Sequence, residues 1–104
     1  MLTIPLQAVP SQTLAVQLGP QSCNINVYQK LTGLYLDLYV NSILIIGGVL
    51  CENLNVIVRS IYLGFIGDLT FIDNAGTEDP DYTGLGGRYS LIYIEASDLP
   101  AGIG

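Results

Sequence analysis

The sequence predicts an all-β fold: a single small antiparallel β-barrel or β-sandwich of about 6–8 strands with at most one short helical turn. Three observations carry this. Apolar and polar residues alternate with period two in one segment after another, while stretches of period 3.6 are nearly absent. Breaks such as Gly19-Pro20, Asn41-Ser42 and Asn74-Ala75-Gly76 separate those segments. At 104 residues the chain has the size of one domain with one core.

The first clear strand is Thr13 to Leu18, with Leu14, Val16 and Leu18 on one face, ended by Gly19-Pro20. The next resumes at about Ser22. There Cys23, Ile25 and Val27 point one way and Asn24, Asn26 and Tyr28 the other, as in a sheet with one dry and one polar face. Lys30 to Gly33 makes the corner. Leu34 to Val40 places Leu34, Leu36, Leu38 and Val40 inward and Tyr35, Asp37 and Tyr39 outward, a separation no helix can produce. Asn41-Ser42 connects it to Ile43-Leu44-Ile45-Ile46, so residues 34–49 read as a hairpin. Gly47-Gly48 marks a bulge or the strand end.

Residues 51–63 fit two templates. Leu54, Ile57, Val58 and Ile61 make a helical stripe, while the β-branched content also suits a strand; the expectation is a short helical turn or an irregular connection. Gly64 and Gly67 flank Phe65-Ile66, and Asp68 to Asp73 is a strand ended by Asn74-Ala75-Gly76. Residues 74–87, rich in Gly, Asp, Thr and Pro, form a loop long enough to be a contact candidate. Arg88 to Glu95 is the last strand, with Tyr89, Leu91 and Tyr93 on one face and Ser90, Ile92 and Ile94 on the other. Apolar groups on both faces predict a central or interface position. The expected organisation is one β domain, residues 1–95, and a flexible tail, 96–104, holding Pro100, Gly102 and Gly104.

Composition excludes several functions. Nine acidic against three basic residues give a formal charge of -6, which repels phosphate backbones and anionic lipid, so nucleic acid and membrane are not expected partners. The longest apolar run, Ile43 to Leu50, is far short of the ~20 residues of a spanning helix. Met1 to Leu6 lacks the basic and apolar regions of a secretory signal, so synthesis in a cytosol is expected, with Cys23 and Cys51 reduced and buried. Charged residues make up only 12% of the chain, about half the usual ~25%. Much of the exterior is therefore uncharged, which favours burial against neighbours.

The chain offers little for chemistry. Without histidine the usual Ser/His or Cys/His nucleophilic pair cannot be built, and two cysteines alone match no structural zinc pattern. Gly84, Gly86 and Gly87 precede a strand and lack the lysine of a phosphate-binding loop, so they serve turns. The acidic loop Asp73-Asn74-Ala75-Gly76-Thr77-Glu78-Asp79-Pro80-Asp81 is the one arrangement suited to a hard cation, but it lacks EF-hand spacing and reads as a solvated turn. No catalytic, cofactor-binding or metal-ligating residue is expected. Tyr28, Tyr35 and Tyr39, on the outward faces of their strands, either give amphipathic contact area for protein partners or cover a second face of the sheet.

Ile4-Pro5-Leu6 followed by Gln12-Thr13-Leu14, the Tyr35-Leu36-Asp37-Leu38 strand, Gly47-Gly48-Val49, Leu63-Gly64 leading to Gly67-Asp68-Leu69, and Tyr82-Thr83-Gly84-Leu85-Gly86 before Tyr89-Ser90-Leu91-Ile92-Tyr93 carry a resemblance. The chain resembles the small baseplate plug proteins of contractile-tailed phages, including those infecting cyanobacteria, over residues 4–95. The specificity lies in the order and spacing of these motifs. The resemblance implies a non-enzymatic, structural subunit of the virion, made in the host cytoplasm and present in several copies at the centre of the tail baseplate among hub, spike and tail-tube proteins. It brings no catalytic residues and no cofactor. The contrasting expectation is a small ligand-binding β-domain that recognises calcium or a glycan through the acidic loop 73–87.

Overall fold

The structure is a computed structural model that describes residues 2–58 and 65–95. Among the described residues the strands run in the order β1 (Leu2–Ile4), β2 (Ser11–Leu18), β3 (Gln21–Lys30), β4 (Gly33–Val40), β5 (Ile43–Leu50), β6 (Asp68–Asp73) and β7 (Tyr89–Ile94), with a 3-10 turn at Tyr82–Gly84. They form two antiparallel sheets: β2-β3-β4-β5 as a continuous meander, and β1-β7-β6. Among the described residues no strand pairing closes either sheet into a barrel.

The meander follows from its turns. Gly19 adopts a positive φ between β2 and β3, and Asn41 and Ser42 both do so between β4 and β5. Two consecutive left-handed residues give the turn whose twist matches a two-residue hairpin, and asparagine tolerates that region better than most residues. Period-two patterning then sorts the faces. Cys23, Ile25 and Val27 on β3 and Leu34, Leu36, Leu38 and Val40 on β4 are all buried. Burying the four aliphatic side chains of β4 contributes about 6–12 kcal/mol before conformational entropy is subtracted.

Both sheets contribute to one core. Ile4, Leu69, Phe71, Tyr89, Leu91 and Tyr93 from the three-stranded sheet join the inward residues of β3 and β4, together with Cys51, Ile57, Val58, Phe65 and Leu85 from the connections. Tyr93 meets Phe65 edge-on at 5.8 Å between ring centroids. A polar clasp ties the sheets at one end: Gln21 donates from Nε2 to the carbonyls of Leu18 and Ile66, and its Oε1 accepts the Ile66 N–H at 2.8 Å. Tyr93 completes it by donating to the same Ile66 carbonyl at 2.6 Å. β7 lies between β1 and β6, the central position expected from its two apolar faces.

One element differs from the sequence-based expectations, and two segments take one of the alternatives the sequence left open. β1 was not anticipated: three residues ahead of Pro5 carry no alternation of their own and become a strand only by pairing with Leu91, Ile92 and Tyr93. Gly47-Gly48 is a register shift inside β5, which continues to Leu50, so of the two alternatives the bulge holds. Between Cys51 and Val58 the connection is irregular. Asp68 organises it, its Oδ1 accepting the N–H groups of Ile57, Val58 and Leu69 at 2.7–3.0 Å. The expectations for residues 59–63 and for the tail 96–104 lie outside the described residues.

Candidate docking surface

The outer face of the four-stranded sheet carries the outward residues of the alternation. Tyr28 on β3 and Tyr35 on β4 are directly paired in register, and their rings stack with centroids 6.0 Å apart and planes 18° from parallel. The ammonium of Lys30 sits 5.5 Å and 5.4 Å from the two centroids. Cation and quadrupole attract, so one of the chain's few basic groups is held over an aromatic floor. Tyr35 also shares a 2.6 Å hydrogen bond with the hydroxyl of Thr32.

Asp37, one step along β4, is the polar hub of this face. Its Oδ1 accepts from the Gly48 N–H at 2.7 Å and from the Tyr28 hydroxyl at 2.9 Å, and its Oδ2 accepts from the Asn26 amide at 3.3 Å. Asn26 in turn accepts from the Thr13 hydroxyl at 2.8 Å, carrying the network onto β2. Burial pushes the Asp37 carboxyl up, but the donors Gly48, Tyr28 and Asn26 and the charge of Lys30 outweigh it and hold it below the usual carboxylate range. Desolvation, with the Asp37 hydrogen bond and charge second, raises the Tyr28 hydroxyl. Tyr28 therefore stays protonated and donates.

β5 closes this face with apolar groups. Leu44 pairs with Tyr39 and Leu50 with Tyr35, which places both leucines on the tyrosine-bearing side. Leu44 is 53% exposed, Leu50 42% and Ile43 65%. Sequence reasoning identified the tyrosines but missed these leucines. The register implied by the two-residue Asn41-Ser42 turn was the signal that could have found them, since it sets Leu44 beside Tyr39. The tyrosines are half-buried, so they cover the sheet and still offer contact area.

The acidic loop is organised by the protein's own groups. Arg88 forks onto Asp73, with Nε to Oδ1 and Nη2 to Oδ2 both at 2.8 Å, while the N–H groups of Ala75 and Glu78 donate to the same carboxylate at 2.9 Å. The guanidinium, with those N–H groups, keeps the Asp73 carboxyl far below the usual range against the opposing effect of desolvation, and Asp73 holds Arg88 charged. Asp79 accepts the Asn53 N–H at 3.0 Å, and Asp81 caps the 3-10 turn by accepting the Thr83 N–H at 2.9 Å. Tyr82 N–H reaches Gln29 Oε1 on β3 at 3.1 Å. These carboxylates point to separate partners, and no group of three or more metal-ligating side chains converges among the described residues.

A stacked tyrosine pair, a satisfied polar network and a flank of exposed leucines make a face suited to burial against a protein neighbour. The protein's family follows from comparison. The chain matches, over residues 1–96, the family described as Cyanophage baseplate Pam3 plug gp18, and it belongs to that family. It is thus a structural protein of the virion's tail baseplate. No match to a curated protein was found.

Proposed function

We propose that this chain is a non-enzymatic plug subunit at the centre of the contractile tail baseplate, contacting hub, spike or tail-tube proteins and helping to keep the tail lumen closed or joined until contraction. The reading takes residues 1–95 as one β domain and 96–104 as its tail. The observation that carries it is the aromatic and aliphatic contact face: Tyr35, Tyr39, Leu44 and Leu50 lie on one side of the sheet, with the Asp37 carboxylate among them already bonded to Gly48, Tyr28 and Asn26, on a chain that belongs to the baseplate plug family. Such a face favours protein partners because its aromatic and aliphatic area gains from being removed from water.

The test is assembly. The protein should co-purify with tail particles, and deleting its gene should leave defective tails. Normal numbers of infectious particles without it would overturn the reading.

A further inference from the structure

We propose that Leu54 is an anchor by which the chain docks into an apolar pocket rimmed by lysine or arginine on another baseplate protein. This rests on the plug reading and adds to it a second contact, on the other sheet from the tyrosine face, with a partner of opposite charge.

Leu54 is an outlier in two respects. Among the described residues three other than glycine have positive φ: Asn41 and Ser42 in the β4–β5 turn, and Leu54 with φ 62. A branched, bulky side chain crowds its own backbone in that region, where glycine or asparagine is preferred. Leu54 is also 65% exposed. The other exposed large apolar residues, Leu2, Leu31, Ile43, Leu44, Leu50 and Ile66, all have ordinary backbone.

The strained backbone is fixed from outside. Asn55 N–H turns back to the Glu52 carbonyl at 3.4 Å, which makes Leu54 the third residue of a four-residue turn. That turn is pinned along the edge of β6: Leu54 N–H donates to the Phe71 carbonyl at 2.8 Å, Asn53 Oδ1 accepts the Asp73 N–H at 2.9 Å, and the Asn55 carbonyl accepts the Thr70 hydroxyl at 3.0 Å. Backbone outliers persist where their surroundings over-determine them, and they collect at functional positions. These bonds require the shape of the turn, and none requires a leucine. Glycine or asparagine would hold the same turn with less strain. Packing does not require it either, because Leu54 is neither in the core cluster nor among the partly buried residues packed against it. Its apolar area faces water and gains only from a partner.

The charge around the turn selects the partner. Asn53 N–H donates to Oδ1 of Asp79 at 3.0 Å, which joins the turn to the acidic loop, and Glu52 opens the turn. Glu78 and Asp79 are exposed. Arg88, the basic group of this region among the described residues, is already held by Asp73 at 2.8 Å, with Glu78 3.7 Å away. A leucine beside these carboxylates enters a pocket favourably when the rim of that pocket brings positive charge; a neutral or acidic rim would strip water from them and return no counter-charge. A second copy of this chain, with a formal charge of -6, is disfavoured here for the same reason.

The test adds purified full chain to tail particles from a phage whose plug gene is deleted, and measures the affinity of incorporation at low and high salt. L54N keeps the branched shape of the side chain and suits the left-handed backbone, so its Tm should stay at or above the parent's while its affinity for the particles falls about tenfold or more. L54G is the second variant should L54N misfold. E52Q/E78Q keeps the side-chain shapes and removes two charges; it should incorporate more slowly than the parent and respond less to salt. L54N and L54G that incorporate as the parent does would overturn the anchor and leave the plug reading intact. So would a fall of several degrees in the Tm of both, which would make the leucine a packing residue. Incorporation that ignores both salt and E52Q/E78Q would overturn the basic rim and with it the proposed partner. A parent chain that never enters the particles would overturn the plug reading itself, and the anchor with it.

Discussion

Gly48 donates its backbone N–H to Oδ1 of Asp37 at 2.7 Å, at the point where β4 and β5 fall out of register. The pairing jumps from Leu36↔Val49 to Leu38↔Ile46, so Asp37 has no Cα partner on β5 and its carboxylate stands in for the missing ladder bond. Gly48 has φ +65, and no atom lies within 4 Å of where its Cβ would be. Backbone conformation, not space, therefore demands glycine there.

Replacing Asp37 by Ala should remove the acceptor for Gly48, Tyr28 and Asn26 together. A hydrogen bond to a charged group is worth about 1.5–3 kcal/mol, and water can replace much of it at a half-exposed site, so the expected loss is about 1–2 kcal/mol. Chemical denaturation measures it. The amide of Gly48 should lose exchange protection more than its neighbours do, which locates the effect at the bulge.

The alternation made the four-stranded sheet legible because β2, β3 and β4 each turn one alternating face to the core, and a period of two has one solution when Leu34, Leu36, Leu38 and Val40 must all be dry. β1 was illegible for the opposite reason. Its identity depends on Leu91 to Tyr93 at the other end of the chain, a relation no local pattern encodes. The same holds for the contact face. Outward tyrosines are visible in the pattern of β3 and β4, but Leu44 belongs to that face through the register of the Asn41-Ser42 turn and Leu50 only through a register that the bulge shifts. The acidic loop read as a solvated turn, and its internal order was hidden because the sequence does not show that Arg88 reaches back to Asp73.

The Asp73–Arg88 pair predicts an acid limb in stability. Asp73 has a depressed pKa in the folded state, so between that value and the ordinary value of about 3.9 the unfolded chain binds more protons than the folded one. Stability therefore rises with pH through this window, is fully present above about pH 5, and is lost as pH falls through the folded pKa. Asp37 adds in the same sense. D73N should lower Tm at neutral pH and flatten the acid limb, measured by thermal unfolding between pH 2 and pH 7 on the scale of these pKa values. An acid limb of the same size in D73N would show that other carboxylates set it.

Leu36 is fully buried between β3 and β5, paired with Val27 and Val49. Leu36→Ala should cost about 2–5 kcal/mol through lost burial and the cavity left behind. Leu36→Asp places an unpaired carboxylate in the core at a cost comparable with total stability, so it should abolish soluble folded protein. Cooperative unfolding of Leu36→Asp at the parental temperature would mean that the strand faces are assigned the wrong way round.

Gly67 adopts φ +95 and lies against β7. A Cβ there would stand 2.5 Å from the Ile94 carbonyl and 2.8 Å from the Tyr93 ring. Gly67→Ala therefore incurs both left-handed strain, about 1–2 kcal/mol, and a clash with backbone that cannot swing aside. The displaced Tyr93 ring should also loosen its hydroxyl from the Ile66 carbonyl and disturb the Gln21 clasp. Denaturation should report a loss above the strain alone, with near-ultraviolet circular dichroism showing altered tyrosine packing.

Cys23 and Cys51 are free and buried, 2% and 1% exposed, and each thiol points at a backbone carbonyl, Gln21 and Val49 respectively, at 3.8 Å. Burial pushes the Cys51 thiol up to about 12 and raises Cys23 as well, against a smaller lowering by a hydrogen bond to Leu18. Only the thiolate attacks disulfide reagents, so at neutral pH the native thiols should be almost inert. Labelling must then wait for the chain to open, and its rate should follow the population of open states. The expected outcome with an aromatic disulfide reagent is a slow reaction whose rate rises about tenfold for each ~1.4 kcal/mol of stability lost in Leu36→Ala and Gly67→Ala. Fast stoichiometric labelling of the parent protein would contradict the burial of both side chains.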